Sequence, residues 1–136
     1  MNYILHIENK DSYLHVTVEG NNSIDTVKRY FAEVYHACRE HGVNLVLIEE
    51  NLQGPNIEIY DIFDVVTQFI DKAQSLGLRL AYVDKNEHHD KRGVKFAQNL
   101  AQVNKVDVRL FFNTAEAREW LLKKGVSVHH QQSLNL

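Results

Sequence analysis

Between Val43 and Val83 the hydrophobic period of the chain changes twice, and this limits what the middle of the molecule can be. The segment VNLVLIEE (Val43 to Glu50) has a continuously apolar centre, Leu45 to Ile48. That is the pattern of a strand buried on both faces, as in a parallel sheet. The loop Asn51-Leu52-Gln53-Gly54-Pro55-Asn56 holds the only proline and breaks the periodicity. Ile59, Ile62, Phe63, Val66, Phe69, Ile70, Ala73 and Leu76 then recur at helical spacing in one broad stripe closed by Gly77. LRLAYV (Leu78 to Val83) returns to strand. A strand–helix–strand unit with short connectors implies parallel strands joined by a right-handed crossover.

The same grammar extends in both directions. YILHIE (Tyr3 to Glu8) and YLHVTVE (Tyr13 to Glu19) alternate around the turn Asn9-Lys10-Asp11-Ser12 and predict a β-hairpin. Pairing Glu8 with Tyr13 sets Leu5 opposite Val16 and Ile7 opposite Leu14, leaving Ile4, His6, His15 and Thr17 on a more polar face near a sheet edge. A helix follows, with Ser23 as N-cap, Ile24, Val27, Phe31, Val34 and Cys38 inside, and Gly42 as the stop. Beyond Val83 a third helix is expected from His88 to Asn104, with Val94, Phe96, Ala97, Leu100 and Val103 inward, and then a strand from Val106 to Phe112. Asn113 and Glu116 form an Asn-containing capping box for a fourth helix that buries Ala117, Trp120 and Leu121. The expected class is α/β, in the order β-β-α-β-α-β-α-β-α, with a mixed, mostly parallel sheet whose strand order the sequence does not reveal. Residues 1–125 are assigned to one domain and 126–136 to a tail that either adds a short strand or frays.

Composition narrows the function classes. The formal charge is −3 with both signs interspersed, so the basic face of a nucleic-acid binder is not expected. The single cysteine, Cys38, excludes an intramolecular disulfide and a multi-cysteine zinc site, and its place on the first helix's apolar stripe reads as a structural thiol. No segment reaches the roughly 20 apolar residues of a membrane span, and the start lacks a basic-then-apolar leader, so the expected address is the cytoplasm.

Element order, the strand LVLIEE before a polar loop and long apolar helix, and the ending FFNTAEAREWLL (Phe111 to Leu122) together resemble the STAS-like superfamily of anti-sigma-factor antagonists. The similarity covers most of Tyr3 to Leu122 and points to a small bacterial branch related in fold to the lipid-binding CRAL-TRIO (Sec14) domains. It implies a binding or regulatory module whose partner surface surrounds the start of the second helix. Such antagonists carry a phosphorylatable Ser or Thr in the loop after the central strand. Here Glu49 to Glu58 contains neither, so that switch does not carry over.

Other chemistry is thinly represented. Glu49, Glu50 and Glu58 flank the Asn51–Asn56 loop with no Lys or Arg nearby in sequence, and there is no Gly-rich phosphate motif. Of the eight histidines, His6 and His15 are cross-strand neighbours in the expected register; His88-His89 and His129-His130 are adjacent pairs, read as solvated, without the spacing of metal ligands. Asp61 and Asp64 sit on the polar face of the second helix, and no serine occupies a nucleophile elbow. Lys85, Lys91, Arg92 and Lys95 form a basic loop, and Arg79 and Arg109 read as solubilising charges at strand starts.

The expectation is therefore a non-catalytic interaction domain with no cofactor, no metal and no catalytic residue, binding through Asn51, Gln53, Gly54 and Asn56. Its partner is expected to be a protein. A small-ligand or lipid carrier with an apolar pocket under the second helix is the alternative, and a homodimer is left open.

Overall fold

A computed structural model describes residues 3–123; the expected tail, with His129 and His130, lies outside the described residues. The chain is α/β. Strands β1 (Tyr3–Asn9), β2 (Leu14–Asn21), β3 (Leu45–Gln53), β4 (Arg79–Asp84) and β5 (Asp107–Phe111) form one sheet in sequential order. The β1–β2 hairpin is antiparallel and every later pair is parallel. Between them run α1 (Ile24–His41), α2 (Ile59–Leu76) and α3 (Arg92–Val103), and residues 114–123 form α4.

Strand alternation decides what each layer touches. Leu14, Val16, Val18, Val46, Ile48, Leu52, Leu80 and Tyr82 face one way and form the larger core, together with Val27, Tyr30, Val34 and Cys38 of α1 and Val65 of α2. Leu47, Ala81 and Val83 face the other way, against Ala117 and Leu121 of α4. Among the described residues, three helices thus share one face of the sheet and one covers the other.

Local chemistry explains the helix ends. Ser23 Oγ accepts from the Thr26 amide at the start of α1, and Gly42 closes that helix in the left-handed region at φ 65°. Gly77 closes α2 in the same way, at φ 63°. Asn113 Oδ1 accepts from the Glu116 amide at 2.8 Å, as the capping pattern predicts.

Several boundaries differ from expectation, each for a physical reason. The hairpin register is shifted by two residues, with Ile7 opposite Val16 and Leu5 opposite Val18. A two-residue slip leaves every side chain on its expected face, but His6 now pairs with Thr17 rather than His15. Strand β3 runs on to Gln53 because Leu52 continues the inward alternation of Val46, Ile48 and Glu50 and is fully buried. Helix α3 begins only at Arg92: the side chains of Asp84, Asn86 and Asp90 take the amides of Asn86, His88 and Arg92 and hold the chain in turns. Val103 is 79% exposed rather than inward. Arg79 is not a surface charge. It is buried, its Nε lies 2.7 Å from Asp107 Oδ2, and its guanidinium stacks 4.2 Å above the Trp120 ring.

The largest departure concerns α2. A stripe this broad, from Ile59 to Leu76, implies a helix largely buried against the sheet, yet Val65 is its one buried residue, and Ile59 and Phe63 are 46% and 48% exposed. Contacts with α1 and α3 carry the helix, and Phe69 lies 6.0 Å from Phe31. Gly93 of α3 makes the close approach possible, since a Cβ there would sit 2.7 Å from Ile62 Cδ1. Space remains beneath the helix.

This arrangement predicts unequal costs for core truncations. Leu47→Ala empties a fully enclosed position between the sheet and α4 and should cost about 2–5 kcal/mol. Phe69→Ala enlarges a space that already exists and should cost less, about 1–2 kcal/mol. Urea denaturation of the two variants measures the difference, and equal costs would contradict the raised position of α2.

Candidate functional site

The space beneath α2 is a partly open cavity of about 190 Å³. Its walls are apolar, built from Val65, Phe69 and Ile70 of α2, Val94 and Ala97 of α3, Phe31 of α1, and Leu80 and Val108 of the sheet. Polar groups gather at one end, where β3 and β4 finish: Glu50, Tyr82, Asp84, His89, Asn22 and Asn56. Ligands of open α/β sheets bind at this carboxyl end.

Glu50 and Asp84 are there because strand parity puts them on the cavity face and the β3–β4 register makes them direct neighbours. Glu50 is 5% exposed and accepts hydrogen bonds from the hydroxyls of Tyr30 on α1 and Tyr82 on β4. Burial, the largest effect, pushes its carboxyl above the ordinary value, and the two tyrosine hydroxyls pull the other way. Both phenols are held well above their usual range, first by burial and next by the Glu50 charge.

His89 fastens the loops around this end. Its Nδ1 lies 3.1 Å from Asp84 Oδ2 and its Nε2 lies 2.8 Å from the Gly54 carbonyl oxygen. Nε2 also lies 3.3 Å from Asn86 Nδ2 and 3.4 Å from Asn22 Nδ2, so both ring nitrogens are engaged. Lys91 Nζ reaches the same Asp84 oxygen at 3.4 Å. Asn86 donates to the Leu52 carbonyl and Asn22 to the Pro55 carbonyl, while Asn56 donates to the carbonyl of Asp90 and accepts from its amide. The connections after β2, β3 and β4 therefore form one hydrogen-bonded rim. His89 is buried, contrary to its reading as a solvated loop histidine.

The expected binding residues divide between the two sides of the sheet. Asn56 lines the cavity mouth and Gly54 receives His89. Asn51 and Gln53 belong to β3 rather than to a loop, alternate with buried Leu52 towards the α4 side, and bond to each other while exposed. Asn56 does not cap α2; Glu58 holds that position without a side-chain bond. The sequence reading missed Glu50, Tyr30, Tyr82, Asp84 and His89 as a group. Parity would have placed Tyr82 and Asp84 with Leu80, but bringing them to Glu50 requires the strand order.

A second polar cluster lies on the α4 side. Glu49 accepts from Thr114 Oγ1 at 2.7 Å, with His15 Nε2 at 2.5 Å and Lys85 Nζ at 3.2 Å. Burial raises its pKa, but these three partners outweigh burial and hold the carboxyl below its ordinary value. Among the described residues no group of three or more His, Cys, Asp or Glu could hold a metal ion. The Cys38 thiol is pushed up to about 11 by burial, as suits a structural residue.

The adjacent glutamates should give opposite pH dependences. Glu49, with a lowered folded pKa, contributes stability that is present above its ordinary value of 4.5 and lost as pH falls through the folded pKa. Glu50, with a raised folded pKa, contributes stability that is full below 4.5 and lost as pH rises through the folded pKa. In melting curves from about pH 3 to 8, Glu49→Gln should flatten the acid limb and Glu50→Gln the decline on the alkaline side. Slopes changing in the same direction would contradict the assignment.

No protein-family model matches the chain, and no curated protein is similar enough to match it. The functional reading therefore rests on the chemistry of the cavity and its rim.

Proposed function

We propose that the protein is a non-catalytic, STAS-like binding domain that holds a small, mainly apolar molecule between α2 and the sheet. The observation that carries this reading is the segregation inside the cavity: apolar walls along its length and hydrogen-bonding groups at one end. Binding sites commonly have this form, with a hydrophobic lining and a few converging polar groups that set orientation. An apolar cavity of roughly 150 Å³ holds a benzene-sized molecule, so 190 Å³ accommodates a ligand body of that size or somewhat larger. A non-catalytic role is supported by the engagement of the site's titratable groups. His89 faces an acceptor at each ring nitrogen, and Glu50 is bound by two hydroxyls, so neither stands ready as a free base. The STAS-like assignment draws support from the element order and the polar segment ahead of a long apolar helix.

Protein contact is a second reading, favoured by one specific feature. Ile59, Tyr60 and Phe63 are exposed on the first turns of α2, beside the Gly54–Asn56 rim, with Tyr60 at 82%. A partner recovered by pull-down and lost in Tyr60→Ala and Asn56→Ala, with melting temperature kept, would support it.

Native mass spectrometry of freshly purified protein tests the carrier reading, with an apolar probe such as benzene added in a parallel thermal-shift series. The expected result is a small-molecule adduct, or a probe-dependent rise in melting temperature, since a ligand at 100 times its Kd stabilises by about 2.7 kcal/mol. Ala97→Phe, which places a ring in the cavity, should abolish both while costing no more than about 1–3 kcal/mol of stability. A wild-type protein with neither adduct nor shift would refute the proposal.

A further inference from the structure

The two carboxylates at the polar end are not equally compensated. Asp84 has His89 Nδ1 at 3.1 Å and Lys91 Nζ at 3.4 Å. Glu50, its cross-strand neighbour, takes part in none of the ion pairs among the described residues and is held by two neutral hydroxyls alone. A buried charge is ordinarily paired or neutralised. Among the described residues the cavity lining contains no Lys or Arg, and the oxygens beside Glu50 include the Tyr82 hydroxyl, already donating to the carboxylate, and the side-chain oxygens of its cross-strand neighbour Asp84.

We infer that the occupant carries a protonated amine at the end of its apolar body, and that this cation completes an ion pair with Glu50. The inference rests on the carrier reading above and adds the chemistry of the head group. Each Glu50 oxygen accepts one tyrosine hydroxyl and retains a lone-pair direction for a further donor. An ammonium supplies three donors and a positive charge in a water-poor site, where a charge-assisted hydrogen bond exceeds a neutral one. A carboxylate or phosphate head would meet Glu50 and Asp84, with no free cation among the described lining residues. An alcohol would fill a lone pair but leave the charge unpaired. The hydroxyls of Tyr30 and Tyr82 orient Glu50 and are positioning groups in this scheme.

Benzylamine, benzyl alcohol and benzoate share one benzene-sized body and differ in the head, so they separate the possibilities. Their Kd values come from chemical-shift titrations of the ¹⁵N-labelled full chain at neutral pH, followed at the amides of Tyr82, Gly93 and Val94. Benzylamine should bind about ten- to a hundredfold more tightly than benzyl alcohol, the range a hydrogen bond to a charged group supplies, and benzoate should be weakest. In Glu50→Gln the amine should lose its advantage while benzyl alcohol retains its affinity. If that variant does not fold, the wild-type ranking alone decides. Alcohol binding as tightly as amine, or benzoate binding more tightly than either, would overturn the amine assignment and leave the apolar cavity reading standing. Failure of all three probes to shift the cavity amides would overturn the carrier reading and this inference together.

Discussion

The burial of Glu50 is the constraint around which one end of the molecule is organised. A carboxylate with 5% exposure on the core face of a central strand must find donors inside the protein. It finds one on α1 and one on β4, so a single side chain ties the first crossover helix to two adjacent strands. The next strand brings Asp84 alongside, and Asp84 in turn fixes His89, which closes the rim by bonding to Gly54. The cavity's polar end is thus the visible surface of a buried network that runs from Tyr30 to the loop after β3. Removing one member leaves another unsatisfied in a site with little water, so substitutions in this group should be strongly non-additive.

The apolar end has a different origin. Side chains of α1 and α3 pack beside α2, Val65 joins the core of the sheet, and a partly open space remains beneath the rest of the helix. Protein interiors ordinarily pack to crystal-like density, so an open space of this size beneath an apolar helix is a feature to be explained. The other face of the sheet behaves differently. There Leu47, Ala81 and Val83 meet Ala117 and Leu121 directly, and Arg79 is enclosed between Asp107 and Trp120. One face is packed for stability, and the other keeps room.

Much of the fold was legible because period and punctuation agreed. Ser23, Gly42, Gly77 and Asn113 mark helix ends, and the apolar centre of β3 indicates a strand with both faces covered. The site was less legible. Glu50 read as the polar end of a strand, although Leu52 beyond it keeps the inward alternation, and that single exposed-looking glutamate hid both the true strand end and the buried carboxylate. Tyr30 sits one residue from Phe31, which the helical stripe favoured, yet Tyr30 is fully buried and Phe31 only half so. His89 looked solvated beside His88 because nothing local shows that the loop after the neighbouring strand supplies its acceptor. These contacts join residues 20 to 35 positions apart, and only the strand order brings them together.

The central claim is that the space between α2 and the sheet is a real, ligand-accessible apolar cavity. Xenon occupies such cavities, so a xenon-pressurised crystal structure tests the claim most directly. The account predicts an anomalous peak between Val65, Phe69 and Leu80, with α2 still resting on α1 and α3 and Glu50 still bonded to Tyr30 and Tyr82. A structure in which α2 has closed onto the sheet, with no xenon between them, would contradict it.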